Sequence, residues 1–167
     1  MPRDPTSTTR TDIVVITDDP IITAPAEELV LDGAAPAAGA AVTRVVFIDP
    51  TVPDGGDGSE GSPFDSWADV TFEAGTIYLQ RGGTTSPGFT ITGQGTADAP
   101  ILIGSYGGGT ARIEGTVVVD GASHVTVSGL DIAGGQGFGI YVTGNATNVA
   151  IQDNDVHDGL AGIYLDG

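Results

Sequence analysis

Cysteine is absent from this 167-residue chain, and so is lysine. The first absence excludes a disulfide scaffold, a redox motif and a thiolate metal site, while leaving the compartment open. The second leaves five basic residues, Arg3, Arg10, Arg44, Arg81 and Arg112, against 22 acidic ones, for a formal net charge of −17. A surface of that sign repels phosphate backbones and anionic membranes, because binding either depends on Lys and Arg displacing counterions. Nucleic acid and membrane are set aside as partners, and the acidity reads as an adaptation for solubility or high salt rather than as a cation site. Aromatic residues make up only 6% of the chain and helical periodicity is nearly missing. Long apolar runs are missing too: residues 13–16 (IVVI) are stopped by Asp18 and Asp19, so no secretory signal or membrane span is visible.

What is present is 40% hydrophobic residues, 27 glycines and short segments rich in Val, Ile and Thr. That composition favours a β fold with many tight turns. A repeat decides which β fold. Residues 162–167 (GIYLDG) repeat 139–144 (GIYVTG) at an interval of 23, and 116–121 (TVVVDG) repeat them one interval earlier. A second register interleaves, since 124–132 (HVTVSGLDI) match 148–156 (NVAIQDNDV) at an interval of 24. Two β-rich segments per period, separated by Gly, Asn and Asp, predict an all-β solenoid of about four coils. Coils stacked about 4.8 Å apart would make it only about 20 Å long.

The chain divides into a Pro-, Ala- and Asp-rich arm over 1–42, expected to be disordered; a strand, an acidic loop and a short capping helix over 43–75; and coils over 76–167. Asp65 or Ser66 is the expected cap of that helix, ahead of Trp67, Val70 and Phe72. Alternation sends Val117 and Val119, Ile140 and Val142, and Ile163 and Leu165 inward as two stacked columns. Val125 and Val127 are expected over Val149 and Ile151, Leu130 over Asn154, and Ile132 over Val156. Gly167 follows directly on a repeat strand with no polar capping segment, which leads to the expectation that the natural protein continues.

Residues 46–64 (VFIDPTVPDGGDGSEGSPF) carry a resemblance: a strand, a loop rich in Asp, Gly and Ser, and a Pro-Phe pair ahead of a capping helix. Residues 75–82 (GTIYLQRG) look like a first coil strand, 99–109 (APILIGSYGGG) with 112–115 (RIEG) like the next turn, and 148–162 (NVAIQDNDVHDGLAG) like a repeating coil. Together they resemble the N-terminal portion of right-handed parallel β-helix proteins of the pectate-lyase-like superfamily. The resemblance implies a carbohydrate substrate, specifically an acidic polysaccharide, and lyase or C5-epimerase chemistry. It also implies a bacterial protein acting outside the cell or at its surface as a monomer. In calcium-dependent members of the superfamily an Asp cluster holds the metal against a uronate while a Lys or Arg removes the α-proton. With no Lys, and no Arg after Arg112, no catalytic residue is carried over, and the catalytic coils are expected downstream. The alternative of another class is a surface or adhesin solenoid that binds glycans without cleaving them.

Two sets of residues are candidates for chemistry. Asp131 and Asp155 stack at an interval of 24, with Asp153, His157 and Asp158 in the same turn region. Carboxylates converging on one face suit calcium, which takes six to eight hard oxygen ligands; Asp131, Asp153, Asp155 and Asp158 are the candidate ligands. Against calcium, Asp is an ordinary turn residue. Tyr141 and Tyr164 stand one coil apart on the outer face below Val118, and an aromatic row there can dock sugar rings or simply stabilise register. Asp120, Thr143 and Asp166 form the next outward column, so Tyr141, Tyr164, Asp120 and Asp166 are the candidate carbohydrate contacts. Asn154 is expected to point inward and bond backbone groups along the stack. Asp49, Asp54, Asp57 and Glu60 read as turn formers ahead of cation ligands, His157 reads as a ladder residue, and Asn145 opens a glycosylation sequon.

Overall fold

The computed structural model describes residues 41–166. The arm expected over 1–42 therefore lies, but for its last two residues, outside the described residues. Strand β1 (Arg44–Ile48) leads through a long loop, with one 3₁₀ turn at Trp67–Asp69, into four coils of three strands each. The first coil is β2 (Thr76–Arg81), β3 (Thr85–Pro87) and β4 (Thr90–Ile91). The second is β5 (Ile101–Tyr106), β6 (Ala111–Glu114) and β7 (Val117–Asp120). The third is β8 (Ser123–Ser128), β9 (Leu130–Ala133) and β10 (Phe138–Thr143), and the fourth is β11 (Thr147–Gln152), β12 (Asp155–His157) and β13 (Ala161–Leu165). Equivalent strands pair in parallel to give three sheets: β1-β2-β5-β8-β11 is the first, β3-β6-β9-β12 the second and β4-β7-β10-β13 the third. The chain is an all-β parallel solenoid.

The registers are those the repeat requires. Ile140 pairs with Val117 below and Ile163 above, and Val142 with Val119 and Leu165. Val125 and Val127 lie beside Val149 and Ile151, and Ile132 lies beside Ile113 and Val156. Val117, Val119, Val125, Val127, Ile132 and Ile140 are fully buried. Each contributes about 1.5–3 kcal/mol of hydrophobic stabilisation, provided both neighbouring coils are in place. The fourth coil has a neighbour on one side only, and Ile163 and Leu165 are 49% and 71% exposed. Asn154 takes an inward place in the stack: Leu130 N donates to its Oδ1 at 3.1 Å and its Nδ2 donates to the Val127 carbonyl at 2.9 Å.

Corners explain the turn residues. Gly129 takes φ +65° between the first and second sheets, and Asp153, one repeat later, takes φ +54° at the same corner. Asp adopts this left-handed conformation at lower cost than most non-glycine residues, so Asp153 replaces a glycine. At the corner leading into the third sheet, a Cβ on Gly139 would collide with Val156 Cγ1 and the Gly162 carbonyl. Coil-to-coil spacing leaves room there only for a hydrogen.

The expected capping helix shrinks to the single 3₁₀ turn, with Ser66 Oγ accepting from Ala68 N at 3.1 Å as the cap. It still closes the first coil. The Trp67 ring stacks on Phe89 at 4.0 Å and Phe72 lies beside both. Trp67 Nε1 donates to Oε1 of the fully buried Gln80 at 2.6 Å, and Ser86 Oγ donates to the same oxygen at 2.7 Å. The Gln80 amide nitrogen donates to Thr84 Oγ1 at 3.2 Å and to the Thr84 carbonyl at 3.3 Å. A further apolar cluster on the opposite face of the first sheet from Tyr78 and Ile103 gathers Val42, Ile77, Leu79 and Leu102.

Gln80→Leu therefore strands two buried donors, Trp67 Nε1 and Ser86 Oγ, at about 1–3 kcal/mol each. Chemical denaturation should show a stability loss of about 2–4 kcal/mol, much of it recovered when Trp67→Phe and Ser86→Ala are added. A Gln80→Leu protein as stable as the parent would remove the amide's role as the cap's anchor.

Candidate functional site

Two outer faces of the solenoid carry the chemistry-bearing residues. On the second sheet, the ladder stacks Thr85, Arg112, Asp131 and Asp155 in one column, and Pro87, Glu114, Ala133 and His157 in the next. Arg112 Nη1 donates to Asp131 Oδ2 at 3.0 Å and its Nε to Glu114 Oε1 at 3.3 Å. His157 Nε2 meets Asp131 Oδ1 at 2.6 Å, while its Nδ1 meets Asp158 Oδ2 at 2.8 Å. Both oxygens of Asp131 are thus engaged by cations, one from the coil below and one from the coil above.

Titration follows from this contact set. The hydrogen bond to Asp131, and then that to Asp158, raise the His157 pKa above its ordinary value and favour the imidazolium. Burial alone would raise the Asp131 pKa, but hydrogen bonds from His157 and Arg112 together outweigh it, and the net shift is downward. His157 is thus a proton donor to two carboxylates and is poorly suited to act as a base. The arrangement latches three successive coils together.

The four carboxylates expected as calcium ligands do not converge. Asp131 and Asp155 are register partners, as the spacing required. Asp131, however, is bound to Arg112 and His157, Asp158 is bound to His157, and Asp153 occupies the left-handed corner. Among the described residues no group of three or more His, Asp or Glu side chains is placed to hold a metal ion. In the acidic loop, Asp49 accepts from Thr51 N, Thr51 Oγ1 and Arg81 Nη1, and Asp57 accepts from Ser59 N, so both form turns.

The third sheet presents a different face. Val118, Tyr141 and Tyr164 form one outward column, with Thr90 below, and Asp120 and Thr143 pair beside it. Tyr141 and Tyr164 ring centroids are 5.7 Å apart and tilted by 44°. A third ring joins them: Phe138 stacks on Tyr164 at 4.6 Å with planes 9° apart, and lies 5.4 Å from Tyr141. The result is an aromatic shelf, on which Tyr164 is 44% exposed. Tyr141 Oη donates to Asp166 Oδ2 at 3.0 Å, so a carboxylate stands at the shelf's edge. The structure thus brings together Tyr141, Tyr164 and Asp166, with Asp120 in the adjoining column.

Sequence reasoning missed Phe138 and Arg112. Phe138 has the parity of the inward Ile140 and Val142, yet at the strand's first position its ring lies against the outward tyrosines. Arg112 pairs with Asp131 over only 19 residues, because the loop between β6 and β9 is shorter than the 23- and 24-residue repeat. No periodicity could have flagged it. The signal that could have found Phe138 is composition: in a chain with so few aromatics, a Phe flanked by glycines near Tyr141 is conspicuous.

No family model and no curated protein sequence matches the chain. Its fold is similar to two crystal structures, the native and selenomethionine forms of a GH136 lacto-N-biosidase from Eubacterium ramulus. Each has a TM-score of 0.54 and 17% identity over 73% of this chain. The chain spans 30% of the length of that enzyme. At this identity the likeness is one of fold: a parallel β-helix.

Raising the pH through the elevated His157 pKa should weaken the latch. The sign follows from linkage: the stability it contributes is complete below the unfolded-state value near 6.5 and is lost as pH rises through the higher folded value. Asp131→Asn should move the His157 titration, read by NMR of its ring, back toward 6.5. An unmoved titration would mean that the Asp131 contact does not hold the proton.

Proposed function

We propose that the chain is the coil section of a carbohydrate-active β-helix protein, and that it contacts glycan through the aromatic shelf of the third sheet. The observation that carries the reading is the packing of Phe138, Tyr141 and Tyr164 on an outer face beside the carboxylate of Asp166. Sugar rings have an apolar face and a rim of hydroxyls. A flat aromatic surface with a polar edge answers both, and such stacking contributes about 0.5–1.5 kcal/mol per ring beyond area burial. The similarity in fold to a lacto-N-biosidase supports a glycan ligand and does not identify it. Action outside the cell or at its surface is part of the same proposal.

Within that class, β-elimination or C5 epimerisation of an acidic polysaccharide is the finer reading, in keeping with the resemblance to pectate-lyase-like proteins. One observation favours it: Arg112 and His157 both point outward beside Asp131, the combination of cation and carboxylate that uronate chemistry uses. Both cations are occupied by carboxylates and held protonated, so a base for this chemistry would come from elsewhere. The shelf, by comparison, is unencumbered, and the described coils are better equipped to bind than to cleave.

Phe138→Ala and Tyr164→Ala should each weaken glycan retention in affinity electrophoresis by roughly tenfold, the equivalent of about 1.4 kcal/mol, with circular dichroism unchanged. Retention that survives both substitutions would dismiss the shelf as the contact. Incubation of the chain with polyuronate should release no product with the ultraviolet absorbance of an unsaturated uronate; its appearance would place the base in these coils after all.

A further inference from the structure

Charge on the third-sheet face is one-sided. Asp120 and Asp166 stand beside the rings, and neither takes part in an ion pair among the described residues. The described cations are committed elsewhere: Arg44 to Glu73, Arg81 to Asp49, Arg112 to Glu114 and Asp131, and His157 to Asp131 and Asp158. The shelf's polar groups are thus mostly acceptors. Tyr141 carries a hydroxyl donor but has already given it to Asp166. Thr143, paired with Asp120, offers a hydroxyl that can donate or accept.

We infer that the shelf selects uncharged glycans, whose hydroxyl and N–H groups donate to Asp120 and Asp166, and rejects uronate polymers. The inference rests on the shelf being the glycan contact. A ligand that stacks on Phe138 and Tyr164 brings its rim within reach of two carboxylates. A neutral hexose meets them with donors, and hydrogen bonds to a charged acceptor are the stronger kind. A uronate brings a like charge to the same place, in a chain whose net charge of −17 already opposes it. Divalent-cation bridging could rescue a uronate only with several converging oxygen ligands, and no such group exists among the described residues.

The test uses the 167-residue chain in affinity gels containing a neutral β-glucan, a neutral galactomannan, polygalacturonate or alginate, each with and without calcium. Retention is expected in at least one neutral gel, at least tenfold stronger than in either polyuronate gel. It should be unchanged between about 20 and 500 mM salt, because screening acts on charge–charge attraction and little on stacking and hydrogen bonds. Asp120→Asn with Asp166→Asn should lower neutral-glycan retention severalfold and narrow the gap to polyuronate, since the amides keep the shape and remove the repulsion. Preferential retention by polyuronate, with or without calcium, overturns the inference while leaving the shelf as a glycan contact. Retention in no gel, by a chain shown folded by circular dichroism, overturns both.

Discussion

Parallel stacking of equivalent strands is the constraint from which the rest of the structure follows. Once each coil lies on the last in register, the side chain at any position has fixed neighbours one coil below and one above. An inward Val or Ile is fully buried only where both neighbours are present, as at Val117, Val127 and Ile132. A coil with one neighbour leaves the same residue types exposed, as at Ile163 and Leu165. Stability in such a fold is a sum of interfaces between coils. The same rule stacks outward residues, so any function on the surface is built as rows along the axis, one residue per coil.

How much of this was legible depends on whether the repeat interval holds. From the second coil to the fourth the first and third sheets advance by 23 or 24 residues per coil, and there the inward columns and the pairing of Asp131 with Asp155 and Tyr141 with Tyr164 could be read directly. Elsewhere loop length breaks the interval. β2 to β5 advances 25 residues, β3 to β6 advances 27 and β4 to β7 advances 28. Loops tolerate such insertions because they lie at the surface. The strands still stack, but nothing in the sequence announces which residues meet. Gln80 is the clearest casualty, since its partners Trp67, Thr84 and Ser86 belong to a loop and a corner with no repeat equivalent.

A strand's two faces are also harder to tell apart than alternation suggests. In β2, Ile77, Leu79, Tyr78 and Gln80 are all buried, so the first coil has no polar face to read against an apolar one. Phe138 shows the converse, a residue of inward parity whose ring turns out at a corner. Alternation is reliable only in the middle of a strand, where the pleat fixes direction. The functional face lies across such a corner, which is why two of its three rings were found and the third was not.

The two outer faces make opposite use of acidic residues. On the second sheet every carboxylate that matters is answered: Asp131 by Arg112 and His157, Glu114 by Arg112, Asp158 by His157. Those contacts cross from coil to coil and hold register, and in satisfying one another they leave little for a ligand. On the third sheet the acidic groups beside the aromatic rings have no cation to meet. A chain with this few basic residues cannot neutralise every acidic row, so where its arginines and histidine are placed decides which face is structural and which is open. Exposed aromatic surface beside unpaired acceptors gains nothing for the fold that Val or Thr would not supply. It gains most when a ligand covers the rings and supplies the missing donors, and for that reason recognition is assigned to the third sheet and coil-to-coil latching to the second.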